Sequence, residues 1–216
     1  MFYIGKRKPP NNVMITYKPK ILSLFSGCGG LDLGFHQVGY DNVWANDFNK
    51  WAVETFRKNF KCHVSDKDIE KIDPYTEKNI PDCDIILGGF PCQDFSIIWK
   101  RPGIHGDRGN LYKSFLRFVD AKKPRAFVAE NVKGLLSANN KKAIKTIVED
   151  FQEINPGYLV TTQLYNFAHY GVPQYRERVI IVGIRKDQDF KFIKPEATNG
   201  PNRSLPFFTS CEALTV

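Results

Sequence analysis

The stretch Gly88-Gly89-Phe90-Pro91-Cys92-Gln93-Asp94-Phe95-Ser96 places a cysteine directly after a proline and just past the apolar run Asp84-Ile85-Ile86-Leu87. Proline removes a backbone donor and fixes the local chain direction. A thiol past a strand end, beside a ligand crevice, is a candidate nucleophile rather than core filler. The thiolate is the reactive form, and an unperturbed thiol, with a pKa of about 8.5, is only a few per cent ionised at neutral pH. Some neighbour must therefore help Cys92 ionise. The other cysteines, Cys28, Cys62, Cys83 and Cys211, make an odd total of five with no C-x-x-C pair. That argues against a zinc site or a disulfide framework and for a reducing compartment. Most lone cysteines are small buried hydrophobes. His36, His63, His105 and His169 form no ligand set, so no metal is expected.

A second chemical feature is the glycine turn Gly27-Cys28-Gly29-Gly30-Leu31-Asp32-Leu33-Gly34, which follows one apolar run and opens another. That context suits a nucleoside cofactor held against backbone N–H groups. The dinucleotide fingerprint G-x-G-x-x-G is not met, because Asp32 stands at its third glycine. This counts against a pyrophosphate-bearing cofactor and leaves room for one without phosphate. Asp47, ending the next strand-like run, is placed to accept from ribose hydroxyls. A tight structural turn with a surface Asp is the alternative.

The elements that must position these groups alternate. Strands are expected at Ile21–Phe25, Asn42–Asn46, Asp84–Leu87, within Pro124–Glu130 and at Val179–Ile184. Helices are expected from Leu31 to Val38, from Trp51 to Phe60 with apolar residues at 51, 52, 53, 56 and 60, and from Lys141 to Ile154 with a stripe of Ile144, Ile147, Val148 and Phe151. Strands this apolar, separated by helices, imply a mostly parallel sheet covered on both faces. Ligands of such sheets bind beyond the carboxyl ends of the strands. The rule gathers Ser26–Gly30, Gly88–Ser96 and Glu130–Asn131. The tail from Phe192 to Val216 carries Pro195, Gly200, Pro201 and Pro206 with little periodicity and reads as loop or linker.

Composition sets the outer limits. The 216 residues are 42% hydrophobic and 13% aromatic, enough for a packed domain and incompatible with general disorder. No apolar run approaches the roughly 20 residues of a bilayer span, and Met1–Lys20 does not read as a secretory signal, so a cytoplasmic protein is expected. The net charge is +8, of which Lys6, Arg7, Lys8, Lys18 and Lys20 supply more than half. A basic excess suits nucleic acid, although a solvated basic leader accounts for those five equally well.

Four motifs in this order, Phe25-Ser26-Gly27-Cys28-Gly29-Gly30-Leu31, Gly89-Phe90-Pro91-Cys92-Gln93, Glu130-Asn131-Val132 and Gln174-Tyr175-Arg176-Glu177-Arg178, resemble the cytosine-5 DNA methyltransferases of bacterial restriction-modification systems. Four linked motifs are far more specific than any one. The resemblance covers roughly residues 20 to 185 and implies a Rossmann-like α/β methyltransferase fold, its mostly parallel sheet carrying an antiparallel strand near the end. It implies S-adenosylmethionine as cofactor, double-stranded DNA as partner and a cytosine rotated out of the duplex. By resemblance Cys92 is the nucleophile that adds to carbon 6 of the base. Glu130 holds the ring nitrogen and amino group, Arg178 meets the base carbonyl and Arg176 supports the site. Pro91, Asn131 and Val132 shape the pocket. Phe25, Gly27, Gly29 and Leu31 cradle the cofactor, Asp47 takes its ribose, Phe48 packs on the adenine, and Asp68 and Ile69 lie near it. Pro91 and Leu111 close that pocket. Residues 96–107 form a loop over the base, where Lys100, Arg101 and Arg108 could meet phosphates.

The family's recognition region and final conserved blocks have no counterpart in this sequence. The expected layout is a basic leader over 1–19, a catalytic domain over 20–190 and a linker or the start of a small domain over 191–216. A truncated or split enzyme is the expectation, with a second polypeptide as one source of the rest and poor methylation by this chain alone. A tRNA cytosine-5 methyltransferase of the same fold, and a non-catalytic cofactor-binding subunit, are the alternatives.

Overall fold

The computed structural model describes residues 17–91 and 111–215. Seven strands form one sheet: β1 Lys20–Leu24, β2 Asp41–Asn46, β3 His63–Ser65, β4 Ile85–Gly88, β5 Ala126–Val132, β6 Tyr158–Asn166 and β7 Glu177–Arg185. Their order is β3-β2-β1-β4-β5-β7-β6. The first five pair in parallel, and β7 runs antiparallel to both β5 and β6. The helices are α1 Gly30–Gln37, α2 Lys50–Asn59, α3 Leu111–Lys122, α4 Lys142–Glu153 and α5 Ser210–Leu214. This is the Rossmann-like sheet with an antiparallel end that the resemblance implied.

Side chains alternate across a strand, so each face collects every second residue. Leu22, Leu24, Trp44, Ile86, Phe127, Ala129, Val179 and Ile181 gather on one face with Phe115, Phe118 and Val119 of α3 and Ile147 and Phe151 of α4. Rings of Phe115, Phe127 and Phe151 meet edge-on or tilted, with centroids 4.3–6.0 Å apart. A smaller cluster joins Ala45 and Val64 to Val53 and Phe56 of α2 and to Phe60.

Several elements depart from the sequence expectation. Strand β5 continues through Glu130 and Asn131, which are strand residues and not the loop after it. Trp51 is 79% exposed, because Val53, Phe56 and Phe60 define the buried stripe of α2 and position 51 lies off it. Strand β3 has only three residues, and β6 is an edge strand whose Thr161, Thr162 and Gln163 interrupt the apolar signal. Helix α3 was not among the helices expected from the sequence. The tail is not wholly irregular: α5 starts with a capping box in which Thr209 and Glu212 exchange bonds.

Gly29 is required twice. Its φ is +89°, and a Cβ there would lie 2.3 Å from the Phe60 ring. Gly27 also has positive φ, at +53°, but its Cβ would meet nothing within 4 Å. Replacing Gly29 by Ala should therefore add backbone strain of about 1–2 kcal/mol to an overpacking cost of about 1–3 kcal/mol, whereas Gly27→Ala should carry only the strain. Urea-unfolding midpoints of the two variants check this.

Candidate active site

The carboxyl ends of β4 and β5 converge with the amino end of the antiparallel β7. In β5 the two-residue period sends Asn131 to one face and Glu130 to the other. Asn131 is 2% exposed. Its Nδ2 donates to the Phe90 carbonyl at 2.9 Å, and its Oδ1 accepts from the Val132 N–H. Phe90 is itself buried against Tyr112 and Phe115. The segment entering Pro91 and Cys92 is thus fixed to β5 one residue before the proline. Cys92 lies outside the described residues, as do the loop 96–107, Arg108 and their neighbours.

On the opposite face, Glu130 Oε1 accepts from Arg178 Nε at 2.8 Å, with both side chains largely but not fully enclosed. Register explains the meeting. Glu130 faces Ile180 and Val132 faces Arg178, so Arg178 is the diagonal neighbour of Glu130 on the same side. Arg178 also donates from Nη1 to the Glu177 carbonyl. A Cβ on Gly89 would stand 3.3 Å from Glu130 Oε2. Gly89 therefore leaves the carboxylate room beside the cysteine segment, a role the sequence reading did not assign. A second ion pair, Lys133 Nζ to Glu177 Oε2 at 2.8 Å, joins the same two strand ends.

The remaining expected base-site residues are placed differently. Val132 ends β5 and is 39% exposed. Pro91 is exposed. Arg176 is exposed just before β7, its carbonyl accepts from the Phe167 N–H, and its guanidinium makes no hydrogen bond or ion pair among the described residues. The tail packs against this approach: Ser210 Oγ donates to the Pro173 carbonyl, and the Thr198 and Asn199 N–H groups donate to that of His169.

A separate cradle forms where β1 and β2 end. Asp47 Oδ2 accepts from the Gly27 N–H at 2.8 Å and its Oδ1 from the Asn49 N–H. Asp47 therefore holds the glycine turn and keeps further lone pairs for a ligand. Phe25 sits at a φ of +52°, a strained conformation for a side-chain-bearing residue. Ser26 Oγ is buried without a hydrogen-bond partner among the described residues. Phe48 is 74% exposed. An orphaned hydroxyl, an open space at Gly27 and an uncovered ring fit a nucleoside-bearing cofactor. Asp68 is exposed and caps the turn Ile69–Lys71 by accepting from the Glu70 N–H. Ile69 belongs to the core at 4% exposure, and Leu31 and Leu111 are half-buried. Asp32 does not face this cradle; it is buried under α1 and bonded to Asn42.

Among the other thiols, burial pushes Cys83 up to about 12 and Cys62 up to about 11, whereas Cys28 and Cys211 are exposed. No group of His, Cys, Asp and Glu among the described residues could hold a metal, and no described helix is long and apolar enough to cross a membrane.

Residues 19–210 match the family model for C-5 cytosine-specific DNA methylases. The chain belongs to this family. It is 64% identical over 201 residues to the type II methyltransferase M.NgoFVII of Neisseria gonorrhoeae, covering 92% of this chain and 53% of that protein. It is 44% identical over 179 residues to M.FnuDI of Fusobacterium nucleatum, covering 82% and 51%. The chain thus spans about half the length of these curated relatives. Among solved structures, a prophage-encoded E. coli protein described as a DNA modification methyltransferase superposes with a TM-score of 0.72 at 26% identity, over 91% of this chain and 54% of that one. The Dnmt2 methyltransferase of S. pombe shares the fold, with a TM-score of 0.62 at 20% identity over 82% and 52%.

Truncating Asn131 to Ala removes its hydrogen bonds to the Phe90 carbonyl and the Val132 N–H and should cost about 1–3 kcal/mol. The midpoint of thermal or urea unfolding reads this directly, and an unchanged midpoint would show that the cysteine segment is held by other contacts.

Proposed function

We propose that this chain carries the catalytic machinery of a DNA (cytosine-5-)-methyltransferase that uses S-adenosylmethionine and acts in the cytoplasm on cytosines turned out of double-stranded DNA. The observation that supports it most is the Glu130–Arg178 pair, set at adjacent strand ends beside the Phe90-Pro91 segment that leads to Cys92. Residues 20–190 are read as the catalytic domain.

In this reading Cys92 attacks carbon 6 of the cytosine as a thiolate. Electron density moves to carbon 5, which becomes the nucleophile. Glu130 holds a proton at the ring nitrogen as the thiolate adds. Arg178 fixes the carboxylate through Nε and presents its outer N–H groups to the base carbonyl. Asn131 sets the position of the cysteine segment, and Gly89 keeps the space between that segment and Glu130 open. Loss of the carbon-5 proton and departure of the Cys92 sulfur restore the aromatic ring. Sulfur suits the task because it both adds to a conjugated carbon and leaves again.

On the cofactor side, Phe25, Ser26 and Gly27 line the cradle, Asp47 takes the ribose hydroxyls and Phe48 covers the adenine. Asp68, Ile69, Leu31 and Leu111 bound its far side. When bound, S-adenosylmethionine supplies an electrophilic methyl group on a sulfonium. Arg176, free of side-chain partners among the described residues, faces solvent where a DNA phosphate could be met.

The test is covalent trapping on duplex DNA carrying 5-fluorocytosine, which lacks the carbon-5 proton that must leave. The chain should form a cofactor-dependent adduct, at low yield alone and at higher yield when the remaining half of its relatives' length is supplied, that Cys92→Ser abolishes and Glu130→Gln reduces by at least about ten-fold, within the range of general acid–base contributions. An adduct that persists in Cys92→Ser would overturn the assignment of the nucleophile. Cofactor binding without any adduct would favour a binding subunit.

A further inference from the structure

Beneath the glycine turn lies a polar pair that the proposed chemistry does not use. Asp32, in the first turn of α1, is 1% exposed. Asn42 Nδ2, on β2, donates to Asp32 Oδ1. The other oxygens of the two groups, Asp32 Oδ2 and Asn42 Oδ1, are both buried and both without a hydrogen-bond partner among the described residues. An ionised carboxylate offers only acceptors, and so does an amide oxygen. With Asp32 charged, Asn42 Oδ1 stays unsatisfied and Asp32 Oδ2 has only the Ser23 hydroxyl to turn to. One proton on Oδ2 converts it to a donor, and a single O–H···O bond to Asn42 Oδ1 then satisfies both.

We propose that Asp32 is a neutral carboxylic acid that closes a two-bond ring with the Asn42 carboxamide, and that this ring latches α1 to β2 and so positions the cofactor cradle. The groups around Asp32 agree. Burial pushes its carboxyl above the usual range, opposed by the Ser23 hydroxyl and by Asn42. Ser23 reaches it from β1 and is itself 1% exposed. Cys62, from the loop before β3, has a thiol that burial raises, so it stands near Asp32 as a neutral group. His36, one turn along α1, is exposed and lies edge-on to Phe60. None of the groups acting on Asp32 is a cation that would hold it ionised.

The latch has a reach. Helix α1 begins directly after the glycine turn, and β2 ends directly before Asp47. The Gly27 N–H to Asp47 bond joins the two elements at the top of the sheet, and the Asp32–Asn42 ring joins them lower down. Two attachments fix the tilt of α1 against β2, where one would leave a hinge. In the dinucleotide fingerprint the third glycine lets the helix pack closely on its strand. Here a satisfied polar pair holds that contact instead. Asp32 is thus a positioning residue, and its link to the cofactor rests on the function proposed above; its protonation state does not.

Difference infrared spectroscopy of the full chain against Asp32→Asn decides the protonation state. At pH 7 the wild type should show the carbonyl stretch of a protonated acid that the variant lacks. Only a carboxylate signal would overturn the proposal and indicate the Ser23 hydroxyl turned onto an ionised Asp32. Carbon-13 labelling of aspartate in the wild type gives the same answer if the variant does not fold: one carboxyl should remain protonated at pH 7. Because the folded-state pKa is raised, the acid's contribution to stability is complete at low pH and is lost as pH rises through that value. The urea midpoint of the wild type should fall across that window, and Asp32→Asn, whose amide reproduces both bonds, should not share the fall. Asp32→Ala should weaken S-adenosylmethionine binding about ten-fold while Asp32→Asn retains it. A protonated acid with equal affinity in all three proteins would retain the ring and overturn its positioning role. No S-adenosylmethionine binding by the wild type would count against the proposed function and leave the infrared result standing.

Discussion

Strand β5 lies between β4 and β7, and the two-residue period of a strand sends its consecutive residues to opposite faces. Everything at the candidate base site depends on this. Asn131 turns toward the α3 and α4 side and takes the Phe90 carbonyl. Glu130 turns to the other side and meets Arg178. A shift of one residue would exchange them, leaving a carboxylate among phenyl rings and an amide where the base is expected. The buried interior of β5, with Phe127 and Ala129 wholly enclosed, holds the register against such a slip.

The antiparallel strand β7 adds a second constraint. A parallel neighbour would bring the beginning of its sequence to the opposite end of the sheet. Running antiparallel, β7 starts where β5 finishes, so Arg178 arrives beside Glu130 with little chain between it and the exposed Arg176. The Lys133–Glu177 pair closes the same two ends from the other face. Exposed ion pairs contribute little stability singly. The Lys133–Glu177 pair and the more enclosed Glu130–Arg178 pair both tie together the strand termini of the candidate site. The tail beyond β7, though poor in regular structure, returns to brace the turn 167–170 and Pro173, which lead into the arginine segment.

The cofactor cradle is built on a different economy. Asp47 is committed to two backbone N–H groups before any ligand arrives, so it shapes the glycine turn as well as serving it. Gly29 is a packing residue under the rings of Phe56 and Phe60, while Gly27 opens onto free space. The two glycines look alike in the sequence and differ in function because only one has aromatic neighbours from α2 above it.

Sequence alone determined the alternation of apolar strands and amphipathic helices, and the four motifs that mark the family, because both are local patterns of residue type. It could not identify β3, too short for a period, or β6, an edge strand whose polar residues face partly open surroundings. It counted Trp51 among the apolar positions of α2, because an apolar residue next to a stripe looks like part of it until the helix is docked. It named Glu130 and Arg178 without showing that they pair, and it left Gly89 and the Asn42 partner of Asp32 unassigned. Those relations join residues tens of positions apart, or depend on which face of an element is turned inward. Register between strands and the docking of α1 on β2 decide them, and these are set by packing across the whole sheet and not by any one segment.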